Sequence, residues 1–243
     1  MEVDSFPIVG FVICQDSFPD ILRCLDSLTC CDEIYVCDGG SKDGSRQWLE
    51  SVKDIYHLKI FDRTFDTMQA QRNFLLSKLP PNVWVINIDQ DEALSPMTTK
   101  YFRQLVNSVS PEIYQVSNKE KRVLTFDLPY LILINDFEHY CYPYTLLRGK
   151  TFFYYEVDLA FYHPYHSEPS YSEKQLSQYT ALTVPNRFCI FHYALFNPKR
   201  HEQRRHRLQK LLTDKESSVE WEYHQWFTVP RKIKAIPDDF LVQ

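Results

Sequence analysis

The stretch Val83-Trp-Val-Ile-Asn-Ile-Asp-Gln-Asp-Glu92 decides the fold of this chain. Its first six residues, Val83–Ile88, are mostly apolar and rich in β-branched side chains, which is typical of a strand buried in a parallel or mixed sheet. This run ends at three carboxylates, Asp89, Asp91 and Glu92. Open α/β sheets bind ligands at the carboxyl ends of their strands, so the acidic end is a candidate ligand site. A solvated acidic turn would look the same in isolation.

The acidic pair Asp89 and Asp91 suggests a metal site. The two residues are two positions apart, so a bending backbone can turn both carboxylates toward one point. Mg²⁺ and Mn²⁺ prefer oxygen ligands and often share them with substrate phosphates. The Asp-x-Asp pair therefore predicts a divalent cation beside a phosphate group.

Composition narrows the classes of protein. The 243 residues are 44% apolar and 24% charged, which is enough for a sizeable core, and the net charge of −5 gives no general attraction to nucleic acid. No stretch approaches the roughly 18 apolar residues of a spanning helix, and the N-terminus does not look like a signal peptide. Seven cysteines form an odd set without Cys-x-x-Cys spacing, which favours a reduced, cytoplasmic location.

The segments before Asp89 alternate between strand and helix patterns. Predicted strands are Pro7–Cys14, Asp32–Cys37, Leu58–Phe61 and Val83–Ile88. Predicted helices are Phe18–Leu28, Lys42–Val52 with Ser41 as its cap, and Thr67–Leu79. This order predicts a parallel sheet wrapped by helices. Right-handed crossovers should bring the strand ends at Cys14–Asp16, Asp38–Ser41 and Asp89–Glu92 to one edge of the sheet.

The rest of the chain is less regular. After a predicted helix at Met97–Val109, a partly antiparallel half is expected. Its predicted elements are strands at Glu112–Asn118, Arg122–Asp127, Tyr144–Arg148 and Phe152–Val157, a turn at Gly149-Lys150, an apolar run within Arg187–Leu195 and a basic helix at Lys199–Leu212.

Four pieces of the chain, in order, carry a family resemblance: Pro7–Asp16 (first strand and turn), Asp32–Ser45 (compare Asp-x-Gly-Ser-x-Asp-Gly-Thr), Ala70–Phe74 (a helix motif) and Ile88–Glu92 (compare Asp-Ala-Asp-Glu). Together they resemble the loop, helix and metal motifs of the family-2 type of GT-A glycosyltransferases, especially the short bacterial enzymes that act on lipopolysaccharide cores. The resemblance covers about residues 7 to 100. Two departures are Cys14-Gln15-Asp16-Ser17, where the family has Thr-Lys-Asn-Glu, and Gln90, where it has a small residue.

The resemblance implies an α/β GT-A (Rossmann-like) fold. Residues 1–110 would form the nucleotide-sugar-binding half, and residues 111–243 an acceptor-side half packed on it in one continuous domain. The implied activity is metal-dependent transfer of a sugar, with inversion, from a nucleotide-sugar to an acceptor hydroxyl. A uridine diphosphate (UDP) sugar is the first choice of donor, and Mn²⁺ or Mg²⁺ the expected metal. The acceptor stays open among a glycan, a lipid-linked saccharide, a protein and a modified nucleic acid.

The resemblance also implies roles for individual residues. The donor would be bound by Asp16, Asp38, Gly39, Gln71, Arg72, Asn73, Asp89 and Arg148. The metal would be held by Asp89, Asp91 and His192, with His163 and His166 as a rival pair. The general base of the reaction would be Asp158 or Glu168.

Three alternative functions are weighed against this one. A nucleotidyltransferase also places acids at a strand end, but it would normally carry a Gly- and Lys/Arg-rich loop where this chain has Cys14–Pro19. A non-catalytic nucleotide-sugar-binding module would be expected to lose the metal carboxylates, and both are present. A transferase acting on modified DNA bases stays open because of the basic run Lys199–Lys210, which could also contact a membrane surface.

Overall fold

The structure is a computed structural model. It describes residues 6–109, 113–116, 119–134, 139–142, 149–155, 159–161, 179–195, 202, 205–206 and 232–236.

The first half of the chain alternates strands and helices, as predicted. Its elements are β1 (Ile8–Cys14), α1 (Asp20–Ser27), β2 (Glu33–Asp38), α2 (Ser45–Ser51), β3 (Leu58–Asp62), α3 (Met68–Leu76), β4 (Val83–Asp89), β5 (Glu92–Leu94) and α4 (Pro96–Val109). In the described part of the second half, the strands are β6 (Ile113–Val116), β7 (Lys119–Ile134), β8 (His139–Tyr142), β9 (Gly149–Tyr155), β10 (Tyr179–Thr183), β11 (Ile190–Leu195) and β12 (Lys232–Ala235).

The strands join in one mixed sheet with the main order β12-β8-β7-β9-β4-β1-β2-β3. The four strands β3, β2, β1 and β4 run parallel, which confirms the predicted parallel half. Strand β9 runs antiparallel to both β4 and β7 and so continues the sheet into the second half.

The strand register brings the predicted edge together. Cys14 lies beside Asp38, and Ile13 lies beside Asp89, on the two sides of β1. Since neighbouring strands are about 4.8 Å apart, the ends of β2 and β4 are separated by the width of two strand spacings. The predicted convergence of the three strand ends is confirmed.

Side chains of β1 alternate between two apolar layers. One layer packs Ile8 and Val12 with residues from α1, α2 and α4, and the other packs Val9, Phe11 and Ile13 with α3 and Phe161. Burying one such side chain contributes about 1.5–3 kcal/mol, so both layers stabilise β1 strongly. Because β1 lies between β4 and β2 and is packed on both faces, the start of the loop that follows it is fixed in place.

Helix α2 begins later than predicted. The predicted cap was Ser41, but the helix begins at Ser45, after Gly44 with a φ of 94°. The physical reason is that the Ser41 hydroxyl donates to Asp38 and is held in the loop after β2. Helix α3 begins close to its predicted start, since the side chain of Thr67 accepts a hydrogen bond from the backbone N–H of Ala70.

Two predictions in the second half differ from the structure. The predicted strand Arg122–Asp127 is confirmed as a strand, but it is part of the much longer β7, which runs from Lys119 to Ile134. The predicted turn at Gly149-Lys150 is the start of β9, because these residues pair with Pro129 and Leu128 of β7. The predicted strand Tyr144–Arg148 lies outside the described residues, and so does nearly all of the basic helix. Within the described part of the chain, no helix combines the length and the apolar character needed to cross a membrane.

Candidate functional site

The loop after β1 is held by its own backbone N–H groups. Four successive donors bind side-chain acceptors from neighbouring loops: Gln15 to Gln90 Oε1 (2.7 Å), Asp16 to Ser41 Oγ (2.9 Å), Ser17 to Ser45 Oγ (2.9 Å) and Phe18 to Asp43 Oδ2 (3.0 Å). Two acceptors come from the loop after β2, one from the first residue of α2, and one from the acidic turn after β4 (residues 89–92). The three strand ends are therefore joined by hydrogen bonds.

Asp38 is buried and shapes the loop after β2. One of its carboxylate oxygens accepts hydrogen bonds from the backbone N–H of Gly40 (3.0 Å) and of Ser41 (2.9 Å). The other accepts from the hydroxyl of Ser41. Two backbone donors and one hydroxyl thus fix the carboxylate at the end of β2, beside the end of β1. Its predicted role in binding the nucleotide stays a prediction.

The two residues after Asp38 are both glycine, for different physical reasons. A Cβ on Gly39 would lie 3.1 Å from the Cβ atoms of Gln15 and Phe65, so the backbone packs closely there. Gly40 has a φ of 94°, a conformation that residues with a side chain rarely adopt. Asp16, in the loop after β1, also has a positive φ, of 47°. Its carboxylate accepts a hydrogen bond from the backbone N–H of Lys42 at 2.6 Å.

Asp43 supports this loop from the exposed side. Its carboxylate accepts from the backbone N–H and the hydroxyl of Ser45 at 2.9 and 2.5 Å, as well as from Phe18. Burial would raise the pKa of Asp43, but the hydrogen bonds from Ser45 and Phe18 outweigh it and hold the pKa below its ordinary value. The carboxylate thus stays charged over the usual pH range.

The three predicted donor-side residues of α3 point to three different partners. Arg72 is 1% exposed and donates to Asp89 Oδ1 at 2.8 Å. The amide of Gln71 accepts from the Cys37 thiol at 2.7 Å and donates to the carbonyl of Arg63 at 2.7 Å.

Asn73 binds a different part of the chain. Its amide donates to the carbonyl of Phe161 at 2.8 Å and accepts from the backbone N–H of the same residue at 2.7 Å. In the described contacts, Asn73 thus anchors residues 159–161 to α3, and Arg72 is the member of this trio that reaches the acidic turn. Nucleotide binding by Gln71 and Asn73 stays a prediction.

The two aspartates of the acidic turn contact different elements. Asp89 faces α3 through Arg72, while Asp91 Oδ2 lies 3.6 Å from His192 Nε2 on β11. The backbone supports this arrangement, because the N–H of Tyr193 donates to the carbonyl of Asp91 at 2.8 Å. Asp91 and His192, two of the three predicted metal ligands, therefore stand together.

Glu92 and Tyr130 form a part of the site that the sequence reasoning missed. Glu92 is 2% exposed, and its carboxylate accepts from the backbone N–H of Asp89 (2.8 Å) and from the Tyr130 hydroxyl (2.9 Å). Burial, followed by the charges of Glu92 and Asp89, raises the pKa of Tyr130 well above its ordinary value, so its hydroxyl remains a donor. The residues are 38 positions apart, and no sequence spacing signals their contact.

Asp91 and His192 fit a divalent cation that takes its other ligands from a phosphate group. A carboxylate oxygen and an imidazole nitrogen suit Mn²⁺, and Mg²⁺ and Mn²⁺ commonly leave positions for phosphates and water. Among the described residues, no set of three or more His, Cys, Asp or Glu side chains is gathered into a metal site. The described residues alone therefore do not supply a complete set of metal ligands.

Several predicted site residues cannot be placed in this geometry. Arg148, Asp158, Glu168, His163 and His166 lie outside the described residues. The predicted general base and the predicted phosphate-binding arginine thus remain predictions.

Sequence comparison identifies relatives of the first half. The family model for glycosyl transferase family 2 matches residues 11–122. The lipopolysaccharide core biosynthesis glycosyltransferase LpsC of Rhizobium meliloti (strain 1021) is 28% identical over 131 residues. That match covers 54% of this chain and 45% of LpsC, which is less than half the length of this relative.

Structural comparison gives the fold. A mannosyltransferase, PcManGT from Pyrobaculum calidifontis in complex with GDP-Man and Mn²⁺, matches with a TM-score of 0.52 and 15% identity over 91% of this chain and 70% of that one. TarS 1–349 from S. aureus matches with a TM-score of 0.48 and 16% identity, over 92% and 73% of the two chains. The predicted resemblance to glycosyl transferase family 2 is confirmed by the match of its family model to residues 11–122, and the predicted GT-A fold class is confirmed.

Proposed function

We propose that this chain is a metal-dependent glycosyltransferase that moves a sugar from a nucleotide-sugar, with UDP as the first choice of carrier, to an acceptor hydroxyl with inversion. The observation that carries the proposal is the arrangement of three carboxylates around the end of β1. Asp38 lies on one side, Asp89 on the other, and Asp91 stands 3.6 Å from His192. The match to glycosyl transferase family 2 supports it.

The nucleotide would lie over the ends of β1 and β2. The loop containing Asp16, Asp38 and Gly39 is tightly held, and a Cβ on the next residue, Gly40, would have no other atom within 4 Å, so this part of the loop is open to a ligand. A pre-ordered loop loses little conformational entropy when it binds, which favours affinity. Arg72 would keep Asp89 in place at the border between the nucleotide and the metal.

The diphosphate would lie toward Asp91 and His192. A divalent cation bound there would neutralise the charge of the nucleoside diphosphate as it leaves. Glu92 and Tyr130 would hold the turn from below, because their buried hydrogen bonds fix the backbone of Asp89. Asp158 or Glu168 is proposed as the general base, and Arg148 as a phosphate contact.

The second half of the chain is proposed as the acceptor side. In this proposal residues 1–110 bind the donor and residues 111–243 bind the acceptor, which stays open among the four classes of acceptor considered above. A cytoplasmic location is also part of the proposal, and the odd set of seven cysteines supports it.

The test is ligand-dependent thermal unfolding. Wild-type protein is heated with UDP, GDP, UDP-sugars or GDP-mannose, with and without Mn²⁺. Guanosine compounds belong in the panel because the mannosyltransferase of the same fold is in complex with GDP-Man and Mn²⁺. A ligand that binds the folded state raises the melting temperature. We expect one nucleotide class to do so, chiefly when Mn²⁺ is present.

Two variants give this experiment its control. Asp91→Asn should abolish the metal-dependent shift. Glu33→Gln removes the same charge at the opposite, amino end of β2 and should keep the shift. Release of nucleoside diphosphate from the selected donor then reports turnover. The proposal is overturned if no nucleotide raises the melting temperature of the wild type under any metal condition.

A further inference from the structure

Gln90 lies between Asp89 and Asp91 in the acidic turn, and its side chain has a different partner from those of the two carboxylates. Its amide oxygen accepts a 2.7 Å hydrogen bond from the backbone N–H of Gln15. The flanking residues contact other elements, Asp89 through Arg72 on α3 and Asp91 through His192 on β11. The turn thus presents three successive side chains to three different parts of the protein.

Gln15 carries the connection further. Its own side-chain amide donates to the carbonyl of Gly39 at 3.3 Å, and the backbone N–H of Gly39 donates to the carbonyl of Cys14 at 2.7 Å. A chain of hydrogen bonds therefore runs from the acidic turn, through Gln90 and Gln15, to the loop shaped by Asp38. This chain joins the proposed metal side to the proposed nucleotide side.

The chemistry of glutamine suits this position. Its amide oxygen is a neutral acceptor, so it can bind the Gln15 N–H without adding a third negative charge beside Asp89 and Asp91. Its length matters as well, because a small side chain at this position would not reach the loop after β1. Loss of the acceptor would leave the Gln15 N–H to find water or remain unbound.

We propose that Gln90 is a positioning residue that couples nucleoside binding after β1 and β2 to divalent-cation binding at Asp91 and His192. The inference rests on the proposed function. A nucleoside that binds more tightly when Gln15 holds Gln90 as observed also favours that orientation of Gln90, and with it the orientation of the turn that carries Asp91. By linkage, a cation bound at the turn strengthens nucleoside binding by the same factor.

The experiment uses nucleosides in place of nucleotides. Uridine and guanosine lack the phosphates through which a nucleotide would coordinate a cation bound at Asp91. The dissociation constant of Mn²⁺ is measured by titration with detection of unbound Mn²⁺ by electron paramagnetic resonance, with and without a saturating nucleoside. We expect the nucleoside to tighten Mn²⁺ binding by about fivefold or more in the wild-type protein, the lower end of typical coupling between sites.

Three variants separate coupling from mere structural support. Gln90→Met keeps the length but removes the acceptor, and the ratio of the two Mn²⁺ dissociation constants should fall to about one. Gln90→Glu keeps the acceptor and should keep the ratio, although its added charge tightens Mn²⁺ binding overall. Gln47→Met makes the same chemical change on the exposed part of α2 and should leave the ratio at the wild-type value.

The outcomes distinguish the two proposals. If Gln90 has a purely structural role, Gln90→Met lowers the stability of the protein or weakens the binding of both ligands, but the ratio of the two Mn²⁺ dissociation constants stays at the wild-type value. That result overturns the inference. The inference also fails if the wild type binds both ligands independently, and the proposed function then stands. If the wild type binds neither Mn²⁺ nor any nucleotide, the proposed function itself fails.

Discussion

The Arg72 guanidinium donates a 2.8 Å hydrogen bond to the Asp89 carboxylate and thereby ties α3 to the acidic turn after β4. Arg72 is 1% exposed, while Asp89 keeps 26% exposure at the edge of the sheet. A buried guanidinium beside a half-open carboxylate holds that carboxylate in one orientation. The geometry of the proposed site therefore depends on a residue buried beneath it.

We expect Arg72→Met to destabilise the protein by about 3 kcal/mol, the lower end for breaking a buried pair, because water still reaches Asp89. The measurement is the free energy of unfolding in urea at pH 7. Arg103→Met is the control, because Arg103 pairs with Asp32 at the surface and should cost less than about 1 kcal/mol. Equal losses in the two variants would contradict the structural importance of Arg72.

Tyr130→Phe should lower the free energy of unfolding by about 1–3 kcal/mol. The substitution leaves a buried carboxylate oxygen of Glu92 without the hydroxyl that donates to it at 2.9 Å. It should also weaken Mn²⁺ binding, since Glu92 holds the backbone of Asp89. Tyr35→Phe is a suitable control, because that hydroxyl contacts Lys59 near the surface at 3.0 Å. A neutral effect of Tyr130→Phe on both properties would refute the prediction.

Asn73→Ala should also cost about 1–3 kcal/mol, because both hydrogen bonds to the Phe161 backbone are lost. Asn73→Asp keeps the acceptor and loses the donor, so it should fall between the wild type and the alanine variant. Unfolding in urea measures the first effect, and titration with the nucleotide selected above measures affinity. We expect the loss of stability to exceed any loss of affinity; the reverse order would favour direct nucleotide contact by Asn73.

Buried thiols should make the protein sensitive to alkali. Burial raises the pKa of Cys37 to about 12 and that of Cys189 to about 12, from an ordinary value of 9.0. A pKa that is higher in the folded than in the unfolded chain means that the fold favours the neutral thiol. This stabilisation is complete below about pH 9 and is lost as the pH rises toward 12.

The corresponding measurement is the free energy of unfolding between pH 8 and pH 10.5. It should fall with pH in the wild type and fall less steeply in Cys37→Ala, in which one titrating thiol has been removed. An identical slope in the two proteins would show that Cys37 ionises as easily in the folded chain as in the unfolded one.

Cys30 should be the first of the described cysteines to react with iodoacetamide at pH 7.5. A hydrogen bond from Cys31, with a smaller contribution from Arg103, lowers the pKa of the Cys30 thiol, and the residue is partly exposed. Cys14 and Cys37 are buried and have raised pKa values. Tandem mass spectrometry of peptides after brief labelling separates Cys30 from its neighbour, and faster labelling of Cys14 or Cys37 would oppose this prediction.

The parallel half could be predicted because each strand is a continuous apolar run that stops at a polar residue. That pattern alone predicts that Asp38 and Asp89 lie at one edge of the sheet. The details of the loops could not be predicted, since they depend on competition among donors. Ser41 was expected to cap α2, but its hydroxyl donates a hydrogen bond to Asp38 instead.

Contacts between distant segments were beyond sequence reasoning. Gln71, Arg72 and Asn73 are adjacent in α3, yet they bind partners at Cys37, Asp89 and Phe161. Nothing in a helix motif tells which neighbour each side chain will meet, because the partners are chosen by the packing of the sheet. For the same reason, the contact between Glu92 and Tyr130 could not be predicted from the sequence.

The position of β9 has a consequence for the order in which the chain can fold. Val85 and Val83 of β4 pair with Phe153 and Tyr155 of β9, about seventy residues further along. Until those residues have left the ribosome, one side of β4 is an unpaired strand edge, and such edges readily pair with other chains. The parallel half, which carries the proposed site, therefore depends on the half that follows it for protection from aggregation during synthesis.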